Sequence, residues 1–331
     1  MSQKILSVSV AAYNVEAFIN KCLDSFVESN VIEDIEVIVT DDGSTDSTVE
    51  IVNSYAEKYK GSVVLVKQTN AGPGSTVNSG IAHATGKYFR MVDGDDWVNP
   101  TDFAVLIEKL KQTDADAVLC NHVLVDNNTF EEVPQHFDGV KIDKIIKLAD
   151  IAEVINPSMH NLIVKTDIMK KHIKLFNCFY TDMQYLIFPT AYINTVVYFD
   201  LDIYMYRVSL GTQSMSVTSL QKNIAMHDSV LFSLTEFYEK YKGGTQFNRS
   251  VANYMIRLIV RMAGCQLSTY LSFKPTKEKC KELYNFFNRL ENSSFEVYNN
   301  FKALKTVRVL NIAKLLYYPV SFLHRKKNKI K

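Results

Sequence analysis

Three carboxylates crowd into four positions of the stretch FRMVDGDDWVNP, residues 89–100: Asp93, Asp95 and Asp96. Like charges this close raise the cost of ionising one another, so the group is either a solvated turn or a place that holds a cation. Alternate residues of an extended chain point the same way, which lets Asp93 and Asp95 face one divalent ion. Mg²⁺ and Mn²⁺ take oxygen ligands and share them with substrate phosphates. The spacing predicts a metal site that stabilises a diphosphate leaving group.

Other uses of the acidic stretch are excluded by single positions. An EF-hand loop needs glycine where Val98 stands. A P-loop enzyme needs a glycine-rich Lys-Ser/Thr segment, which this sequence lacks. The histidines His160, His172 and His227 show no spacing typical of metal ligands. A hydrolase triad has no support either, because no serine has a recognisable base partner.

Strand and helix patterns alternate along the first 125 residues. Apolar runs predict strands at 5–12, 35–40, 63–66, 88–92 and 117–125. Helical spacing predicts helices at 15–26, with Asn14 as the N-cap, and at 48–59, 74–84 and 101–111. Such alternation is typical of crossover units around a mostly parallel sheet.

Three polar clusters follow predicted strands: AAYN from residue 11, DDGSTD from residue 41, and DGDD from residue 93. Ligands of such sheets bind outside the carboxyl ends of the strands, so we expect all three clusters to face one crevice. Any one of them alone would more often be a plain turn rich in Asp and Gly. Within the second cluster, the Asp42 carboxylate can accept a hydrogen bond from a base or a ribose hydroxyl.

Composition restricts the class of protein. The chain has 331 residues and 47% apolar content, enough for one large or two modest domains. Its net charge of +1 does not indicate a nucleic-acid partner. Five scattered cysteines without a Cys-x-x-Cys pair argue against a zinc ribbon or a disulfide framework, and fit a reduced, cytoplasmic setting. We expect no signal peptide, and no membrane span because no run of about 18 apolar residues occurs.

The segments SVAAYNVEAFINKCLDSF, EVIVTDDGSTDSTVEIV and NAGPGSTVNSGIAHATGKYFRMVDGDDWVNP resemble the nucleotide-sugar domain of family 2 glycosyltransferases. The resemblance implies the α/β, Rossmann-like GT-A fold: a mostly parallel sheet flanked by helices. It also implies inverting transfer of a sugar from a nucleoside diphosphate donor, commonly a UDP-sugar, with Mn²⁺ or Mg²⁺ as cofactor. Where family members often have Ala-Arg-Asn, this chain has Thr76-Val77-Asn78.

The resemblance also implies roles for individual residues. Ala11 to Tyr13 and Asp42 would hold the base of the nucleotide. Asp93 would lie by the ribose and the metal, Asp95 would ligate the metal, and Asp96 would support the loop.

Residues 126–218 resemble the acceptor half of the same enzymes, in which an acidic dipeptide opens a helix behind an aromatic residue. Here that position is Tyr180-Thr181-Asp182, with Thr181 where the family often has Glu. Asp182 would be the general base that takes the proton of the acceptor hydroxyl. By position alone it would be a carboxylate that stabilises a helix N-terminus. Arg207, in MYRVSLGTQSMS, is either a phosphate contact or part of a surface ion pair.

Residues 219–331 show helical patterns and end in LNIAKLLYYPVSFLHRKKNKIK. This apolar and then basic stretch is too short to span a bilayer, and we expect Pro319 to bend it. It is either an amphipathic segment on an anionic membrane surface or a docked helix with a frayed tail. Related enzymes use lipid-linked acceptors, which favours a place on the inner face of the cell membrane.

The sequence thus predicts a nucleotide-sugar half at 1–125, an acceptor half at 126–218 and a helical region at 219–331. It predicts a metal-dependent, inverting glycosyltransferase with a UDP-sugar donor and a glycan or lipid-linked glycan acceptor. One alternative is a nucleotidyltransferase that makes sugar nucleotides, but SVAAYNVEA lacks the expected glycine-rich loop with Arg or Lys. Another is a non-catalytic sugar-nucleotide-binding protein, which would have no need to keep the Asp93/Asp95 pair.

Overall fold

The computed structural model describes residues 3–178, 180–209, 216–328 and 330. Within these ranges the chain forms one mixed sheet of ten strands. The strands are β1 Leu6–Ala12, β2 Ile35–Asp41, β3 Val63–Lys67, β4 Tyr88–Asp93, β5 Trp97–Val98, β6 Ala117–Asp126, β7 Glu132–Gln135, β8 Ile146–Lys147, β9 Leu162–Lys165 and β10 Thr195–Val208.

The α-helices flank the sheet and then form the C-terminal part of the chain. They are α1 Ile19–Glu28, α2 Thr48–Lys58, α3 Pro73–His83, α4 Pro100–Gln112, α5 Leu148–Ile151, α6 Thr166–His172, α7 Thr181–Ile187, α8 Val217–Lys222, α9 Ile224–Lys242, α10 Arg249–Ser272, α11 Lys277–Ser293, α12 Phe295–Lys302, α13 Lys305–Ile312 and α14 Tyr317–Lys327. Short 3₁₀ turns occur as well, including Met159–Asn161 just before β9.

The sheet confirms the predicted α/β fold. Its strand order is β3-β2-β1-β4-β9-β6-β10-β5, and β1 pairs in parallel with β2 and with β4. Strand β9 is inserted antiparallel between β4 and β6. Leu6, Val8 and Val10 of β1 are buried with no exposed surface. A parallel sheet with helices on both faces explains such continuous apolar runs.

Two local predictions were wrong. Helix α1 begins at Ile19, and Asn14 does not cap it. Instead the Asn14 side-chain oxygen accepts the backbone N–H of Thr45 at 2.8 Å, which ties the loop after β1 to the loop after β2. Pro319 lies in the first turn of α14, where backbone N–H groups have no partner within the helix. The missing N–H of proline therefore costs no hydrogen bond there, and the helix continues to Lys327 instead of bending at Pro319.

The chain divides into two compact units, Met1–Leu210 and Gly211–Lys331. The sheet belongs to the first unit, and helices α8 to α14 belong to the second. Among the described residues, no helix is both long and apolar enough to cross a membrane.

Candidate active site

The carboxyl ends of the first, second and fourth strands meet, as the three polar clusters predicted. In the sheet register Ala11 lies opposite Asp93 of β4, and Ala12 lies opposite Asp41 of β2. The Gly94 backbone N–H donates to the Ala11 carbonyl at 3.0 Å, which extends the pairing into the acidic turn. The loops that carry the candidate nucleotide and metal residues therefore begin at one edge of the sheet.

A hydrogen-bonded turn holds the acidic residues after β4. The Asp96 N–H donates to the Asp93 carbonyl at 3.0 Å and closes the turn. The buried Asp96 carboxylate accepts the Tyr204 hydroxyl at 2.7 Å and the Arg207 backbone N–H at 2.8 Å, both from β10. The Tyr204 oxygen in turn accepts the Asp93 N–H at 3.1 Å. Asp96 thus has the loop-supporting contacts that the resemblance implied.

Negative charge accumulates in this turn. Burial, together with the nearby charges of Asp95 and Asp182, raises the pKa of Asp93 to about 7. Burial also raises the pKa of Asp95 and, together with its acidic neighbours, that of Asp96. These shifts mean that the carboxylates ionise at a cost that nearby protein cations do not offset.

The hydroxyl of Tyr206 responds to all of these charges. Burial is the main cause that raises its pKa to about 12, and the carboxylates of Asp96, Asp93, Asp95 and Asp182 each add to the shift. The charges of four carboxylates, three from the turn after β4 and one from α7, therefore act on one phenol. Asp182 belongs to α7, which lies far along the chain from the acidic turn.

Within the described part of the chain, Asp93, Asp96 and His160 form a group suited to a metal ion. Their ligand atoms lie within 4.8 Å of one another. Two ligands of one ion, each about 2.2 Å from it, are at most about 4.4 Å apart, so a small adjustment would let the three share a cation. Two carboxylates, that of buried Asp96 and that of half-buried Asp93, and an imidazole fit a divalent metal such as Mn²⁺. Asp95, predicted as a ligand from its spacing, lies outside this group.

Sequence reasoning missed His160. Its distance along the chain from the acidic turn gives no ligand spacing, and the residue becomes a neighbour only because β9 is inserted beside β4. The sequence offered no ligand spacing for His160, whereas the structure brings it beside Asp93 and Asp96. The sequence carried no signal for His160 as a metal ligand, because the spacing of metal ligands is informative only when they lie on one local element.

Asp42 holds the loop before α3. One carboxylate oxygen accepts the Gln68 side-chain amide at 2.7 Å and the Ala71 N–H at 2.9 Å, and the other accepts the Gly72 N–H at 2.9 Å. The side chain is buried. Tyr13, its predicted partner in holding the base, is 51% exposed. Asp42 thus stabilises the loop at residues 68–72, independently of any contact with a nucleotide.

The NAGPGS stretch packs against the segment that leads to Asp182. Gly72 has φ +87°, and a Cβ on Gly74 would lie 1.8 Å from the Phe176 carbonyl oxygen, so neither position accepts a side chain without strain. Asn78 exchanges two hydrogen bonds with the Leu175 backbone, at 2.8 and 2.9 Å. Val77, in the middle of the Thr76-Val77-Asn78 segment, is buried. These contacts link the predicted donor and acceptor halves.

Asp182 is the second residue of α7. Tyr180, the residue just before the helix, has a left-handed backbone with φ +65°, a conformation that costs a non-glycine residue about 1–3 kcal/mol. Gln184 accepts the Phe176 N–H at 2.7 Å and so fixes the approach to this turn. The strained entry orients the first turn of α7, and the charge of Asp182 reaches Asp93.

Arg207 is largely buried, with 8% of the residue exposed, so it does not have the surface position that the alternative of a surface ion pair required. Its guanidinium lies 4.9 Å from the Phe18 ring centre and 4.8 Å from that of Trp97. The Nε atom donates to the Asp95 carbonyl at 2.9 Å, and Nη1 donates to the Asn127 side chain at 3.0 Å. Its charge lowers the pKa of Asp95 against the effect of burial. The rest of the predicted phosphate segment, residues 210–215, lies outside the described residues.

Known proteins similar to this chain share its sequence motifs and its fold. The sequence model described as glycosyl transferase family 2 matches residues 7–177. EpsJ of Bacillus subtilis, an uncharacterised glycosyltransferase, is 35% identical over 138 residues, which cover 42% of this chain and 40% of EpsJ. The chain thus spans less than half the length of the curated relatives it matches most strongly.

Solved structures extend the likeness in fold to nearly the whole chain. The S. aureus TarS 1-349 structure in complex with UDP-GlcNAc has a TM-score of 0.67 at 19% identity, and the match covers 98% of this chain and 92% of TarS 1-349. A mannosyltransferase from Pyrobaculum calidifontis, in complex with GDP-Man and Mn²⁺, has a TM-score of 0.52 at 16% identity, over 99% of this chain and 89% of the other. At these identities the likeness is one of fold.

Proposed function

This chain belongs to glycosyl transferase family 2, and we propose that it transfers a sugar from a nucleoside diphosphate sugar to an acceptor hydroxyl, with inversion at the anomeric carbon. The observation that carries the proposal is the acidic turn after β4, where Asp93, Asp96 and His160 bring ligand atoms within 4.8 Å of one another and the charge of Asp182 acts on Asp93. Such a concentration of buried acid suits a site for a cation, a diphosphate and a general base.

The proposed donor is a UDP-sugar. Support comes from the fold neighbour that was solved with UDP-GlcNAc, while the neighbour solved with GDP-Man makes a guanine nucleotide the alternative. Ala11, Tyr13 and Asp42 would contact the base, with Asp42 acting through its last free acceptor position as well as through the loop it holds. Arg207, beside Asp95, would contact the diphosphate.

The metal would be held by Asp93 and Asp95, with Asp96 and His160 near Asp93. When bound, Mn²⁺ or Mg²⁺ supplies positive charge that stabilises the departing diphosphate. Asp96 would keep the turn in place through its bonds to Tyr204 and Arg207. The high cost of ionising the carboxylates in the absence of a cation makes the site favourable for binding one.

Asp182 would act as the general base. Its carboxylate would take the proton of the acceptor hydroxyl while the hydroxyl oxygen bonds to the anomeric carbon and the nucleoside diphosphate leaves from the opposite face. An attack from that face inverts the configuration, so an α-linked donor would give a β-linked product. The proposed acceptor is a glycan or a lipid-linked glycan.

Association with an anionic membrane surface from the cytoplasmic side forms part of the proposal. Helix α14 is docked through Ser321, whose hydroxyl donates to the Leu271 carbonyl at 3.0 Å. It nevertheless exposes Phe322 and Leu323, next to the basic run that begins at His324. Exposed apolar side chains beside basic ones suit the interface of an anionic bilayer.

A two-step experiment tests the proposed function. Thermal shift with UDP, GDP, UTP and GTP, each with and without Mn²⁺, should show metal-dependent stabilisation by a nucleoside diphosphate. A panel of labelled sugar nucleotides, followed by NMR of the product, should then identify the donor and show an inverted anomeric centre. Preference for a triphosphate would indicate nucleotidyl transfer instead, and a retained configuration would exclude the mechanism with Asp182 as base.

A further inference from the structure

His160 sits beside the acidic turn and is held in one orientation. The Arg90 guanidinium donates to the His160 carbonyl at 2.6 Å. The imidazole stacks on the Tyr206 ring, with centres 4.3 Å apart and planes 24° apart, and its centre is 4.6 Å from that of Tyr204. The contact to the backbone and the contacts to two tyrosine rings restrict the rotation of the imidazole.

Hydrogen bonding selects the tautomer of this imidazole. The Ser158 hydroxyl donates its proton to the Asn161 side-chain oxygen at 3.0 Å, while the Asn161 amide donates to the Cys120 carbonyl at 2.7 Å. The Ser158 oxygen, 3.0 Å from His160 Nδ1, is then left to accept, so Nδ1 carries the proton. Nε2 therefore has a free lone pair, and an outer partner on Nδ1 is the usual arrangement for a metal-binding histidine.

Electrostatics favours the neutral ring that a metal requires. Burial, His122 and Arg90 together hold the pKa of His160 well below its ordinary value. A ligand nitrogen of this ring lies within 4.8 Å of a carboxylate oxygen of Asp93 and of Asp96, so the three side chains can face one cation.

We infer that His160 is a nitrogen ligand of the metal held by Asp93, and that it makes the site selective for Mn²⁺ over Mg²⁺. The inference rests on the proposed function, because it concerns the cation of that same site. Imidazole is a good ligand for transition metals and a poor one for Mg²⁺, which prefers oxygen and water. The acidic turn alone would bind either ion, and a nitrogen ligand adds affinity for only one of them.

Pulsed EPR of Mn²⁺ on the full chain with UDP tests this without reference to turnover. The wild type should show ¹⁴N modulation from a coordinated imidazole, and His160→Gln should not. His160→Phe keeps an aromatic ring against Tyr206 and should also lose the signal, which separates ligation from packing. His122→Gln is the matched control, since His122 is a neighbouring imidazole, 5.2 Å from His160 between ring centres, that is not one of the three grouped residues.

Calorimetry with both metals supplies the second readout. The two His160 variants should bind Mn²⁺ at least about tenfold more weakly, with little change for Mg²⁺, whereas His122→Gln should keep the wild-type ratio. Mn²⁺ that binds with UDP but shows no ¹⁴N modulation would overturn the role of His160 and leave the proposed function intact. A wild type that binds neither metal would overturn both.

Discussion

Tyr204 and Asp96 are joined by a hydrogen bond of 2.7 Å that runs from β10 to the acidic turn after β4. The same hydroxyl accepts the Asp93 N–H at 3.1 Å, so one phenol oxygen bridges two of the site's acidic residues. Two strands that are distant in the sequence thereby fix the geometry of the candidate metal site.

Removing that hydroxyl should loosen the site. Tyr204→Phe deletes a buried hydrogen bond to a carboxylate, worth about 1.5–3 kcal/mol, and should also weaken the metal-dependent binding of UDP. Tyr185→Phe is the control, because Tyr185 is equally buried but donates to the Leu162 carbonyl at 3.1 Å. Denaturant unfolding and calorimetry would be compared for both. Equal loss of UDP affinity in the two variants would contradict a specific role for Tyr204.

Asp182→Asn should lower turnover by about 10²–10⁴-fold and leave donor binding unchanged, because Asn cannot accept the acceptor's proton. The chain offers a close control in Asp167→Asn. Asp167 is the second residue of α6, which has seven residues like α7. A carboxylate that serves only a helix N-terminus would behave alike in both places. Transfer rate and UDP affinity would be measured side by side, and full activity of Asp182→Asn would leave the base unassigned.

Asp42→Asn should cost stability and weaken UDP binding. The substitution places an amide group opposite backbone donors of the loop at 68–72, with a loss of about 1.5–3 kcal/mol for a bond to a charged acceptor. Asp41→Asn makes a matched comparison, since the Asp41 carboxylate accepts the N–H of Gly43 and of Ser44 at 3.2 Å. If Asp41→Asn proves the more harmful to UDP affinity, Asp41 becomes the base-contacting residue.

The raised pKa of Asp93 predicts a pH dependence of stability without metal. Between the unfolded pKa near 3.8 and the folded value of about 7, the folded state binds the extra proton. Stability contributed by Asp93 is therefore present at low pH and lost as pH rises through this window. Asp93→Asn lacks this titration, so its unfolding free energy should rise relative to wild type from pH 4 to 7 and then level off. Added Mn²⁺ should reverse the difference at pH 8. A flat difference in chelator would contradict the shift.

The C-terminal helix predicts selective binding to anionic vesicles. Replacing Phe322 and Leu323 by Ser should reduce co-sedimentation with phosphatidylserine-containing vesicles, because both side chains are 62% exposed beside the basic run. Phe295→Ser is the control, since Phe295 is 66% exposed but lies outside this tail. No binding at all would remove the membrane from the proposal, and equal binding to neutral and anionic vesicles would contradict the selectivity for an anionic surface.

The sequence by itself determined five of the strands, β1, β2, β3, β4 and β6, and the place of the acidic turn. Strands such as β1, β2 and β4 alternate with amphipathic helices along the chain. The local periodicity of apolar residues is enough to identify such crossover units. The segments AAYN, DDGSTD and DGDD could be placed together from the sequence, because a parallel sheet brings the carboxyl ends of its strands to one edge. The family motifs lie in this same continuous part of the chain.

Only the tertiary structure decided what completes the site. His160 and Tyr204 reach the acidic turn through the antiparallel insertion of β9 and the pairing of β10 with β6, which are contacts between segments far apart in the chain. Asn14 illustrates the same limit on a smaller scale, because its side chain bonds to Thr45 across two loops rather than capping its own helix. Local patterns carry no information about such partners, since their geometry depends on how distant strands pair.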